Sequence, residues 1–290
     1  MLIFIVIVTA NPNLHKREHA LNPRQAVSCV LSPEVDTGPY YLNAQLIRED
    51  IREGQVGVPV LLDAQVIDVN TCQPIPNIYV DFWSCNSTGT YSGYAVEGTL
   101  GLTHLRGIGV TDEDGIAQIT TIFPGWYSGR ATHIHVATHH NAVANTNTKT
   151  ITGGTVSHVG QIFFEEKFLT QIDNTAPYNR NTLRRVRNAE DIYVGQAQAN
   201  GYNSVATSVL LGSNLAQGLA SSFTLAVNPG IDYTNGLNSP VRQPGVPVGG
   251  GNGGTTTRPG TTPTQPSQPP AGGNLQKYSQ CGGLYNPFFL

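Results

Sequence analysis

Apolar residues in the middle of this chain recur in short runs and alternations that suit β-strands, and almost nowhere at the spacing of a helix face. Residues 58–69 (VPVLLDAQVIDV) and 78–84 (IYVDFWS) read as strands, separated by NTCQPIPN, where Pro74 and Pro76 forbid a continuous ladder. An Asp-Gly turn signal in TDEDG (111–115) precedes IAQITTI (116–122), and HIHVAT (133–138), VGQIFF (159–164), SVATSVLL (204–211) and SSFTLAV (221–227) follow. The helical candidates are short: EEKFLTQI (165–172) and a polar stretch at 188–193. Thirty-two Gly and 19 Pro fit a turn-rich chain. The expected fold is all-β, an antiparallel β-sandwich over residues 26–240 with long loops and a few short helices.

The ends differ in character. Residues 2–8 (LIFIVIV) are too few to span a bilayer and read as the core of a secretory signal peptide, with Lys16-Arg17 beyond it, so 1–25 is assigned as signal peptide or propeptide. Residues 241–276, largely Gly, Pro and Thr, cannot bury enough apolar area to offset ordering and form a disordered linker. Beyond it, YSQCGGLY in KYSQCGGLYNPFFL (277–290) resembles the opening of the fungal-type cellulose-binding module, but a single Cys281 leaves that small domain without its disulfides, and no cellulose binding is expected of it. With 12% charged residues and a net charge of −3, nucleic acid and anionic membrane are poor partners. The expected location is extracellular, and the four cysteines lack a CxxC pair, so a disulfide is expected rather than a thiolate zinc site. Asn86-Ser87-Thr88 is an N-glycosylation sequon.

The chemical signal is FPGWYSGRATHIHV, 123–136. His133 and His135, two apart on a strand, present both imidazoles on one face, as a metal site requires. His139 and His140 face opposite ways, so at most one could join them. A cupin or facial-triad iron site needs a nearby carboxylate, yet no Asp or Glu occurs between Gly115 and Glu165. A three-histidine zinc site would draw on His104, His139 or His158, without support from spacing. The remaining candidates are phenols, Tyr91 and Tyr127, hard oxygen ligands suited to Fe(III).

In the order Tyr91…Tyr127…His133-x-His135, with GPYY (38–41), DFW and GTYSG (81–93), TDEDG and PGWYSGRATHIHV, the chain resembles the intradiol ring-cleavage dioxygenases. It is most similar to their secreted fungal branch, over about Cys29 to Pro229. The resemblance implies Fe(III) held by Tyr91 and His135 equatorially and by Tyr127 and His133 axially, Tyr127 being the ligand that yields to substrate. It implies that Arg130 lies beside the bound diol, that Gln161 supports the site from behind, and that Tyr40 stands near the pocket mouth. Ser84 occupies a position where the family string has His. The implied reaction inserts both atoms of O2 into a catechol-type diol to give a cis,cis-muconate-type diacid, in extracellular breakdown of lignin-derived aromatics; no nicotinamide or flavin motif is present.

Strand 78–84 spans about 20 Å, so Cys72 and Cys85, beyond its opposite ends, should not pair. Cys85 shares an end with Tyr91 and Cys29 leads into GPYY, so Cys29–Cys85 is the expected bridge. The alternative to an enzyme is a non-catalytic β-sandwich accessory module on cell-wall polymer, which the linker and the residual module string favour and which has no use for two Tyr and an HxH.

Overall fold

The computed structural model describes residues 29–237. The expected signal peptide or propeptide (1–25), the linker (241–276) and the module fragment (277–290) lie outside the described residues. The described strands are β1 (Pro59–Asp68), β2 (Tyr79–Trp83), β3 (Arg106–Val110), β4 (Ile116–Ile122), β5 (His133–His140), β6 (Val143–Asn145), β7 (Thr150–Thr152), β8 (Thr155–Phe164), β9 (Val205–Leu210) and β10 (Leu219–Val227). Of two short helices, α1 (Glu166–Asp173) falls on the 165–172 candidate, while α2 (Ile192–Ala197) only begins at the end of the 188–193 stretch, whose first residues form a 3-10 turn. β6 and β7 pair as a small separate hairpin.

The other eight strands form one sheet, in the order β3-β2-β5-β8-β9-β10-β1-β4. Two packed layers were expected, and they are joined rather than separate. β8 and β9 pair in parallel at Phe163–Val205 and Phe164–Ala206, which makes one corner continuous. At the opposite corner residues 46–51 strap the free edges together. Arg48 N donates to Ile108 O (3.0 Å) on β3, and Ile51 N donates to Thr120 O (3.0 Å) on β4. The sheet is thereby nearly closed into a barrel. β3 escaped the sequence pattern because Gly107 and Gly109 dilute it; a Cβ at Gly107 would lie 2.5 Å from Ile51 Cγ2, under that strap. The pairing of β1 with β10 is parallel from Val60–Leu219 to Asp68–Val227, contrary to the antiparallel expectation. A parallel pair needs a long crossover, and here nearly the whole domain supplies it.

The main core fills the space between the layers. Val60, Leu62, Ala64 and Val66 of β1 and Phe223 and Leu225 of β10 face Val80 and Phe82 of β2, Ile134 and Val136 of β5, and Ile162 and Phe164 of β8. β5 is buried along its entire length, so its other face, carrying His133 and His135, is also covered. The cover is the chain's own N-terminal segment, which pairs beside β10 (Ser32 N to Ala226 O, 2.8 Å) and then crosses β8 (Val35 N to Val159 O, 3.0 Å).

That route corrects the disulfide. The bridge is Cys29–Cys72, and Cys85 is a buried free thiol. Cys72 lies in the turn after β1, at the end of the barrel where the segment starts, and Cys29 Sγ also contacts Val69 O at 3.4 Å. Residues 29–38 can reach about 30 Å when extended. Cys29 is held at the Cys72 end, and the segment passes Ala226 and Val159 before GPYY begins.

Peptide mapping without reductant should recover Cys29 joined to Cys72, with Cys85 alkylated only after unfolding. The bridge closes a span of 43 residues, so Cys29→Ser with Cys72→Ser should lower unfolding free energy by up to about 4 kcal/mol in urea titrations.

Candidate metal centre

β5 places His133 and His135 on its outer face with ring centroids 4.6 Å apart, while Ile134 and Val136 between and beyond them enter the main core. Tyr91 comes from the loop after β2, and Tyr127 from the stretch joining β4 to β5. These two loops meet backbone to backbone. Gly125 N donates to Asn86 O (3.1 Å), and a Cβ at Gly125 would lie 2.5 Å from Ser87 O. Gly89, with φ of +89°, leaves no room either, since its Cβ would fall 2.3 Å from Trp126 O. The two glycines let the loops touch and bring the phenol rings within 5.8 Å.

The donor atoms converge. His133 Nδ1 donates to Ala131 O at 2.6 Å, which leaves Nε2 with the lone pair. That nitrogen faces His135 Nε2 at 3.0 Å and Tyr127 Oη at 3.2 Å. Tyr91 Oη is buried without a hydrogen-bond partner. Burial, reinforced by the neighbouring Tyr127, holds the Tyr91 phenol well above its ordinary range, and burial with Arg130 nearby holds His133 well below its own. His135 is likewise lowered by burial and by His133. Cis donors about 2.1 Å from a shared ion lie about 3 Å apart, which is the spacing seen here. Two phenols and two neutral imidazoles form a hard, charge-compensating set that fits Fe(III).

The residues around the donors fix them. Trp83 stacks on the His135 ring (4.9 Å, 3° between planes), and a Cβ at Gly38 would lie 3.2 Å from His135 Cε1, so the imidazole is gripped from the strand and from the N-terminal segment. Tyr40 stacks on Tyr91 at 4.3 Å and donates to Glu97 Oε1 at 3.0 Å. Arg130 lies with its guanidinium 4.1 Å over the Tyr193 ring, donates from Nε to Asp191 Oδ2 (3.0 Å) and bonds to Gln161 Oε1. Burial would lower the Arg130 pKa, but the Tyr127 phenol and the Asp191 carboxylate outweigh it and raise it. Gln161 is register partner to His135 and donates to Asp36 O (2.8 Å), which ties Arg130 to the strand behind the ligands.

All seven residues expected at the site are thus brought together: Tyr40, Tyr91, Tyr127, Arg130, His133, His135 and Gln161. The other histidines are not. His139 Nε2 lies 3.8 Å from Asp81, and His158 Nδ1 pairs with Glu34 at 2.7 Å. Among the described residues no group of three or more His, Cys, Asp and Glu side chains is arranged to hold a metal, so the carboxylate-completed and three-histidine alternatives have no site there. Ser84 is buried with its hydroxyl unpartnered. Burial pushes the Cys85 thiol up to about 12, which keeps it an inert neighbour. Asp191, Trp83, Gly38 and Tyr193 went unread in the sequence. Asp191 had one signal, as the cap of α2, where Oδ1 accepts Tyr193 N at 2.9 Å while Oδ2 takes Arg130 and Ala131 N.

Residues 36–191 match the dioxygenase family model. The fold matches a solved intradiol ring-cleavage dioxygenase from Tetranychus urticae at 33% identity, covering 70% of this chain and 97% of that one, with a TM-score of 0.60. The chain belongs to the intradiol ring-cleavage dioxygenases. A second solved dioxygenase is 34% identical over 71% of this chain and 97% of its own, also with a TM-score of 0.60. More distant is a catechol 1,2-dioxygenase from an Acinetobacter species, at 19% identity, covering 81% of this chain and 72% of that one, with a TM-score of 0.48. No curated protein sequence matches significantly. The chain is therefore an oxidoreductase of the dioxygenase type rather than an accessory module.

Gly125→Ala tests how this dioxygenase assembles its phenols. The added methyl must push the two loops apart, so unfolding free energy should fall by about 1–3 kcal/mol, and the variant should retain less iron than wild type by elemental analysis.

Proposed function

We propose that this dioxygenase depends on Fe(III) and opens catechol-type diols between their two hydroxylated carbons, yielding cis,cis-muconate-type diacids. The observation that carries this reading is the convergence of Tyr127 Oη and His135 Nε2 on His133 Nε2, within 3.2 Å and 3.0 Å, with Tyr91 beside them. Tyr91, Tyr127, His133 and His135 would hold the metal. When bound, Fe(III) supplies Lewis acidity and a template for the diol oxygens.

The chain's own groups have distinct tasks. Tyr127 would be one of the residues that hold the metal, and its phenolate can accept a proton from an incoming diol hydroxyl. Arg130 is kept cationic by Tyr127 and Asp191 and faces the open cleft, so it can stabilise negative charge that builds on the ring. Gln161 and Asp191 hold that guanidinium in one orientation, and the N-terminal segment over β5 keeps water from the donors. The Cys29–Cys72 bridge and the apolar run at 2–8 favour secretion into an oxidising compartment. Lignin-derived diols are the natural substrates of an enzyme so placed, and weak association with cell-wall polymer would keep it near them.

Turnover of catechol under isotopically labelled dioxygen should give a diacid carrying both labelled atoms; a single label, or cleavage outside the diol, contradicts the assignment. Arg130→Ala should reduce kcat/KM by about 10²-fold and leave the visible spectrum of the iron-loaded protein unchanged, because Arg130 touches the substrate and not the metal.

A further inference from the structure

An open cleft of about 530 Å³ lies beside the donor site, sharing Gly38 and Arg130 with its surroundings. Gly38, on its wall, is the residue that packs against His135, and Arg130, also on its wall, interacts with Tyr127. A diol reaching His135 and Tyr127 therefore leaves its ring substituents among Asp36, Arg130, Glu190, Asp191 and Tyr193.

The charge balance of that wall is uneven. Three of these groups are carboxylates and Arg130 is the one cation among the lining residues. Arg130 is charge-balanced: its Nε donates to Asp191, another nitrogen bonds to Gln161 Oε1 and its face lies on the Tyr193 ring, so with Asp191 it adds no net positive charge to the wall. Glu190 is matched from outside the cleft by Arg184 (2.8 Å) and Arg187 (3.0 Å), the Arg184 contact foremost in pulling its carboxyl down to about 2. Asp36 has no cationic partner among the described residues. Its Oδ1 accepts Gly38 N (3.1 Å), and its Oδ2 takes the Tyr193 hydroxyl at 3.4 Å. Asp36 thus presents a carboxylate with no cation beside it, which suits an ammonium and repels an anion.

Resting on the ring-cleavage reading above, we propose that this cleft selects catechol-type diols whose ring substituent is neutral or cationic and discriminates against those bearing a carboxylate. A ring carboxylate would enter beside Asp36 and meet Arg130 already balanced by Asp191, so its desolvation is poorly offset. A substituent ending in an ammonium would lie beside Asp36 and donate a charge-assisted hydrogen bond to its carboxylate.

Three probes of similar shape test this with the iron-loaded full chain: 4-methylcatechol, 3,4-dihydroxybenzoate and 4-(2-aminoethyl)catechol. Their dissociation constants are measured by calorimetry without O2, and their kcat/KM with it. The carboxylated diol should bind about tenfold or more weaker than the other two at low salt, with the gap shrinking as salt rises. Asp36→Asn, which keeps the Oδ1 acceptor for Gly38, should reduce the ammonium-to-carboxylate ratio of binding constants severalfold. Equal or tighter binding of the carboxylated diol, or a ratio unmoved by Asp36→Asn, overturns the proposal. If the binding order holds but none of the three is cleaved, the charge selection stands and the ring-cleavage reading falls.

Discussion

The structure depends on a strand with two buried faces. β5 sends Ile134 and Val136 into the main core and His133 and His135 to the opposite side, and the period of two makes these placements inseparable. A one-residue slip of β5 against β2 or β8 would put imidazoles into the hydrocarbon core and isoleucine among the phenols. The flanking register resists such a slip. Trp83 lies opposite His135 on one side and Gln161 on the other, so the residue that stacks on the imidazole and the residue that steadies Arg130 are set by the same hydrogen-bond ladder that orders the sheet. Stability of the sheet and geometry of the site are one requirement.

A buried face needs a cover, and the chain uses its N-terminal segment. From the Cys29–Cys72 bridge the segment runs beside β10, crosses β8 at Val35, and lays Gly38 on His135 and Tyr40 on Tyr91. Gly38 is needed because a side chain there would press on the imidazole, and its φ of +70° is in the left-handed region. The side of the roof near α2 is finished by Asp191, which caps the helix, takes the Ala131 amide and pairs with Arg130. One carboxylate therefore couples a helix end, the turn before β5 and the cation at the cleft. Leaving that cation buried and unpaired would cost several kcal/mol.

Much of this was legible in the sequence, and the exceptions have physical causes. The histidine pair announced itself because alternation on a strand is a local property. Tyr91 and Tyr127 were open candidates by ligand chemistry and became specific through the family strings around them. The closure of the sheet was not legible, because it depends on a two-residue contact between β8 and β9 and on the strap at 46–51, neither of which leaves a periodic trace. Asp191 lies 61 residues from Arg130, and a long-range ion pair has no signature in either segment. The Cys29–Cys72 pairing is not legible in the sequence because the direction of an irregular segment is fixed by tertiary contacts at Ser32 and Val35, which spacing does not reveal.

Tyr91, Tyr127, His133 and His135 converge as a donor set suited to one ferric ion. Elemental analysis with visible absorption of the purified protein tests it most directly. Expected are about one iron per chain and a broad phenolate-to-iron band that weakens in Tyr127→Phe, vanishes in the Tyr91→Phe, Tyr127→Phe double variant and is lost with the metal in His135→Ala. An iron-loaded wild type without colour, or a double variant with its spectrum intact, would contradict it.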